Sequence, residues 1–285
     1  MFFDSAVMPL NPNSQRNLVV YELNEVSPLV IKDYCHYRPN SFISQLVSHN
    51  GILETICSDE GELHPWSTWP TLHRGVPRST HRIHSLNQDL LPSAKYPPIW
   101  ETLLQHGISI GVFGSLHTYP CASPSPLVKF YVPDTFSPSS DTSSRSLSRL
   151  QAFNLLMSSY GKVKPKPLEF HQYLQFLRLL IRGDASVSFL VSCLRQFGLE
   201  MFDKHYQERR PYLQAELLFP AFLRCLTTTR PRYCSFFTNH VASVMHRFWC
   251  HSYPEDCTTT IPGASAIRAN HIWSALDVVD RQLSL

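Results

Sequence analysis

The stretch that decides the fold is Pro98-Ile-Trp-Glu-Thr-Leu-Leu-Gln-His-Gly-Ile-Ser-Ile-Gly-Val-Phe-Gly-Ser115. Pro98 to His106 carries apolar residues at helical spacing, and Gly107 is placed to end that helix in a left-handed turn. Ile108 to Phe113 is then β-rich and ends in Gly114-Ser115. Helix, glycine, strand, glycine is the grammar of an α/β domain, in which crossover helices link parallel strands.

Working outward, Asn17-Leu-Val-Val-Tyr-Glu-Leu23 reads as a buried first strand with a polar tip at Asn24-Glu25. Residues 28–48 have helical spacing, broken at Pro39-Asn40 into two helices. A second short strand is predicted near 52–57, completing a βαβ start. Residues 1–16 read as a disordered lead-in, and 17–136 as the first part of the α/β core. Residues 137–148, nearly all Ser, Thr, Pro and Asp, read as a flexible loop. From 149 to 226 strand alternation gives way to helical periodicity, including Tyr173, Phe176, Leu177, Leu180 and Ile181, which predicts a cap-like helical insertion. Residues 227–285 return to the core, with a strand at Tyr233 to Asn239 and a helix at about 265–283.

Composition narrows the function classes. The chain has 285 residues, 43% of them hydrophobic, enough for a sizeable core. A formal charge of +3 with no block of like charge argues against a nucleic-acid protein held by phosphate contacts. No run of 18 apolar residues exists, so no membrane span is expected. Met1 to Gln15 has no basic region followed by an apolar run, so the expected setting is cytoplasmic with reduced thiols. The eight cysteines form no CxxC pair and no zinc-finger spacing.

In an open α/β sheet, function collects at the carboxyl ends of strands. Three polar clusters fall there: Asn24-Glu25, His64 to His73, and Asn239-His240 through His246. The middle one packs hydroxyls and histidines between prolines. A hydroxyl nucleophile needs rigid placement and an easily lost proton, which a bound cation can assist. A helix N-terminus behind it would offer N–H donors to an anionic ester. Elsewhere, Asp134 in Tyr131-Val-Pro-Asp-Thr135 follows an apolar run and could contact substrate or cap a turn. No GxSxG elbow is present, so an α/β-hydrolase with a Ser/His pair fits poorly.

The segment Ser67-Thr-Trp-Pro-Thr-Leu-His-Arg-Gly-Val-Pro-Arg-Ser-Thr-His-Arg-Ile83 resembles the nucleophile segment of the alkaline phosphatase superfamily, closest to its nucleotide pyrophosphatase/phosphodiesterase branch. Val19-Val-Tyr-Glu-Leu-Asn24 is similar to that superfamily's first strand, and Tyr96 to Ser115 to its next helix and strand. The co-linear match covers roughly residues 17–136. The resemblance implies a three-layer α/β fold and a metal-dependent hydrolase of phosphate or sulfate esters. It puts Thr68 at the nucleophile, Thr71 at a phosphate-binding position, and His81 at a histidine of the same segment.

It further implies two divalent cations, commonly zinc, held by Asp and His ligands. Asn24 stands where an Asp is usual and Glu25 where a Gly is usual. Asn239 again replaces an Asp, while His240 and His246 are candidate imidazoles; spacing does not decide between them. A final Ser-Asp-His-Gly strand of the superfamily is not in this sequence, so a C-terminally truncated version is expected. An Asn carbonyl ligates a hard cation without adding negative charge, which weakens binding. Glu22 points away from Leu23 in a regular strand, leaving Glu25 as the replacement carboxylate. The ligand implied is a small-molecule phosphate or sulfate ester. The alternative is a noncatalytic binding or interaction protein that keeps the fold with a degraded metal site.

Overall fold

Four parallel strands form the sheet in a computed structural model that describes residues 17–86, 88–160, 187–202, 204–258 and 269–285. They are β1 (Leu18–Leu23), β2 (Ile110–Phe113), β3 (Val128–Val132) and β4 (Tyr233–Thr238), in the order β1-β4-β2-β3. The helices are α1 (Pro28–Tyr37), α2 (Phe42–Asn50), α3 (Pro65–Arg74), α4 (Arg78–His81), α5 (Ile99–Gln105), α6 (Arg145–Tyr160), α7 (Val187–Phe202), α8 (Arg210–Thr229), α9 (His240–Ser252) and α10 (His271–Leu283). The chain is therefore α/β, a parallel sheet flanked by helices. Among the described residues no helix is long and apolar enough to cross a membrane.

Local chemistry sets the helix ends. Ser27 and Ser41 cap α1 and α2, each accepting a backbone N–H three residues on. Gly75 ends α3 at φ +65°, a left-handed turn that a residue without Cβ takes at no steric cost.

Side chains alternate between the two faces of the sheet; β2 and β4 are buried throughout, whereas β1, expected as a buried strand, lies at the edge with Leu18 57% and Val19 46% exposed. Tyr21, Phe113, Phe130, Val132, Cys234 and Phe236 face α6, α7 and α8, which supply Leu150, Phe153, Phe189, Leu217 and Phe222. Aromatic rings dominate this layer, with Phe236 lying 4.8 Å from Phe222 and 5.4 Å from Tyr21. On the opposite face, Val20, Ile110, Val112, Tyr131 and Tyr233 meet Trp100 of α5. A further cluster joins α1, α2, α9 and α10 through Val30, Tyr34, Val244, Ile272 and Leu276, and takes in Leu23.

Three further expectations need correction. Residues 52–57 form no strand: Leu53 and Ile56 are 91% and 98% exposed, so this run has no apolar surface to pair against. The parallel neighbour of β1 is β4 instead, contributed from 215 residues away, with Leu23 opposite Thr238. The loop at 137–148 ends early, because α6 begins at Arg145. Cys250 and Cys257 are joined by a disulfide across the end of α9, where reduced thiols were expected. The helical stripe at Tyr173 to Ile181 lies outside the described residues, as does the start of the helix expected from 265. The lead-in 1–16 lies outside them too.

Gly111 sits directly beneath the Phe130 ring, so a Cβ there would overlap the ring itself. Gly111→Ala should therefore lower unfolding stability by about 1–3 kcal/mol, through forced repacking between β2 and β3. Urea denaturation monitored by circular dichroism checks this.

Candidate functional site

Because all four strands are parallel, the residues following β1, β2, β3 and β4 gather at one edge of the sheet. Helix α3 lies across this edge. Three of its side chains reach three separate polar groups, and these contacts define what the edge can do.

The first is Trp69. Its indole Nε1–H donates to Asn24 Oδ1 at 2.8 Å, and Asn24 Nδ2 donates to Asn239 Oδ1 at 2.7 Å. An indole is donor only, so it fixes Asn24 with its oxygen towards Trp69 and its nitrogen towards Asn239. Asn239 must then present its oxygen. The residue at the start of α9 thus makes no side-chain cap to its own helix and spends its amide on β1. Asn24 is 6% exposed.

The second is Thr71. Its hydroxyl meets Asp59 Oδ2 at 2.6 Å and His81 Nε2 at 3.0 Å. His81 Nδ1 accepts the Ile83 N–H at 3.0 Å, so the proton is on Nε2 and His81 donates to Thr71. Thr71 in turn donates to Asp59, which also accepts the Arg78 backbone N–H. An imidazole that donates to a hydroxyl is not its general base. Burial lowers the His81 pKa, which keeps the ring neutral.

The third is His73. Its Nε2 lies 2.8 Å from Glu22 Oε1, and Ser115 Oγ donates to Glu22 Oε2 at 2.7 Å. Ser235 Oγ lies 2.8 Å from Ser115 Oγ and, with the Ser115 proton committed to Glu22, must be the donor. Serine, histidine and glutamate are all present and buried, yet both Ser and His bond the carboxylate and not each other. A nucleophile needs the opposite connectivity. The cluster locks β1, β2, β4 and α3 together.

The remaining sequence-derived residues divide as follows. Thr68 lies in the first turns of α3, and its hydroxyl donates to His64 O at 3.1 Å. The Ser67 and Thr68 backbone N–H groups also donate to His64 O, so they are not aimed outward at an anion. Glu25 sits at φ +56°, the left-handed turn where the resemblance implies a glycine, and its carboxylate meets His246 Nε2 at 2.6 Å. Asn24, Glu25, Asn239 and His246 are thus brought to the same edge. His240 is not: it is 2% exposed, with Nδ1 2.7 Å from Thr238 Oγ1 and Nε2 3.0 Å from Ala275 O. Nδ1 ties the ring to the end of β4 and Nε2 seats α9 on α10. Asp134 is 4% exposed and accepts the Phe136 N–H at 2.8 Å and the Thr118 N–H at 3.4 Å, so it caps its own turn. Thr71 and Asp134 thus both make scaffold contacts.

The donor set does not fit the metal centre that the resemblance implies. Two of its oxygen donors are neutral amides bonded to each other, and one imidazole is sealed in the core. Sequence reasoning set Glu22 aside, met His73 and Ser115 only as members of longer stretches, and gave none of these or Ser235 a role. The available signal was a charged residue at an inward position of an otherwise apolar strand.

The fixed direction of the amide pair makes its two halves unequal. Asn239→Asp keeps an acceptor for the Asn24 N–H and should change stability by less than about 1 kcal/mol. Asn24→Asp obliges the Asn239 amide to turn over and places a carboxylate at a position only 6% exposed, and should cost about 1–3 kcal/mol. Equal losses in thermal melts would contradict the assigned direction. A second expectation concerns pH. Burial pushes His117, whose Nε2–H donates to Trp66 O at 2.7 Å, down to about 4. Burial does the same for His240, also to about 4. Ordinary imidazole titrates near 6.5, so between about 4 and 6.5 the unfolded chain binds protons that the folded chain refuses. Stability should be complete above that window and fall as pH drops through it. His240→Gln should flatten the profile, as read from urea midpoints at pH 7 and 5.

No protein-family model, no curated protein and no solved structure matches this chain.

Proposed function

We propose that this chain is a noncatalytic binding protein built on the frame of a metal-assisted phosphate- or sulfate-ester hydrolase, with the three-layer arrangement of the alkaline phosphatase superfamily. The observation that carries this reading is the Trp69–Asn24–Asn239 chain of hydrogen bonds. Two residues from opposite ends of the sequence meet where the resemblance implies ligands of a shared metal site, and that meeting supports the ancestry. They meet as amides satisfying each other, which supports the loss of hydrolysis. A small-molecule phosphate or sulfate ester remains the ligand class that the resemblance implies.

A second reading, hydrolysis through Thr68 with divalent metal, rests on one contact. Glu25 and His246 come from different elements and stand 2.6 Å apart at the same edge, as a carboxylate and an imidazole that suit zinc. Zinc has been the usual metal in the superfamily that this chain resembles. Against this reading stand the inward-turned hydroxyl of Thr68 and the sealed ring of His240.

Elemental analysis of the purified protein, paired with hydrolysis of bis-p-nitrophenyl phosphate, separates the two. The noncatalytic reading expects no stoichiometric zinc and a rate no higher than that of Thr68→Ala. Near-stoichiometric zinc with turnover abolished in Thr68→Ala would overturn it in favour of the hydrolase.

A further inference from the structure

The polar groups at the sheet edge raise a question that loss of hydrolysis leaves open: what holds β1 and the start of α9 together there. Asn24 follows β1 and Asn239 follows β4, and each strand turns away from the sheet at that point. Their amides span the gap at 2.7 Å, and at the same level the Asn24 N–H donates to Thr238 O at 3.3 Å. The Trp69 indole completes the chain and draws α3 onto the same point. One residue further out, Glu25 and His246 repeat the connection as a carboxylate–imidazole contact at 2.6 Å.

We infer that the Asn24–Asn239 amide pair ties this edge in the way a bridging cation would, so that the edge is held by hydrogen bonds and is indifferent to divalent metal. The inference deepens the noncatalytic reading and rests on it. Two carboxylates at this spacing could not both stay ionised without a cation or a shared proton between them. Two amides need neither, because one donates and the other accepts. The direction imposed by Trp69 makes the pair self-sufficient. Asn24 uses one acceptor and one donor, and Asn239 supplies the matching oxygen. Neither amide has to turn towards solvent to find a partner for these atoms.

The consequence is read from melting temperature, which needs no knowledge of activity. The wild-type protein should melt at the same temperature in EDTA and in excess zinc or manganese. Asn24→Ala should melt lower, and equally so in both solutions, because it loses the tie and gains no ligand. Asn24→Asp/Asn239→Asp should melt lower in EDTA and regain roughly 5 °C or more when metal is added, because the facing carboxylates then hold a cation. A wild-type protein stabilised by metal overturns the inference, as does an Asn24→Ala variant with unchanged melting. A folded double variant indifferent to metal overturns it as well. If the double variant does not fold, the wild-type and Asn24→Ala melts still decide. Ester turnover by the wild type would sink the noncatalytic reading and this inference with it, whereas metal-dependent melting without turnover would sink only the present inference.

Discussion

The contact between Glu22 and His73 carries much of the remaining architecture. A carboxylate 3% exposed would be costly inside a sheet without a partner, and here both of its oxygens are engaged, by an imidazole and by the Ser115 hydroxyl. Ser235 extends the network to a third strand. Removing one partner of such a buried hydrogen bond typically costs about 1–3 kcal/mol, because the other is left unsatisfied. The network therefore acts as a fixed point from which α3 is hung. Trp69 and Thr71, a turn or less away on the same helix, inherit their positions from it.

Seen this way, the segment that resembles a nucleophile loop works as a clasp. Its three polar anchors each close on a partner from a different part of the chain: Asn24 with Asn239, Asp59 with His81, and Glu22 with Ser115. The Asp59 group also secures the irregular stretch before α3, with Arg78 donating to the Glu60 and Glu62 carbonyls. Hydroxyls and histidines of the type that support ester chemistry are plentiful here. Their protons, however, are directed into the scaffold. Connectivity, more than residue inventory, separates a catalytic constellation from a structural one.

Much of the frame was legible in the sequence because local chemistry wrote it. Gly107 after an amphipathic run, the break at Pro39-Asn40, and the β-rich runs at 18–23 and 233–238 all have counterparts in the structure. The run at 52–57 misled because β-branched and apolar residues describe a strand only where a neighbour exists to cover them. The polar ends of β1 and β4 could be named from sequence, and Asn24, Glu25, Asn239 and His246 do share one edge. What could not be read was direction. Whether His240 turns inward to Ala275 or outward to the edge depends on where α10 packs, and no local pattern encodes that. Likewise, Glu22 was set aside as pointing the wrong way, when the wrong way proved to be the buried layer beneath α3.

The strand order has a consequence for how the chain is made. The first strand of the sheet takes as its neighbour the last, with Leu18 opposite Tyr233 and Leu23 opposite Thr238. At a synthesis rate of about 5–20 residues per second, β1 must wait on the order of 10–40 s before its neighbour exists. Throughout that interval Leu-Val-Val-Tyr presents an unpaired backbone to every other nascent chain nearby. Nascent-chain handling, rather than the finished structure, is thus where this topology places its greatest demand on the cell.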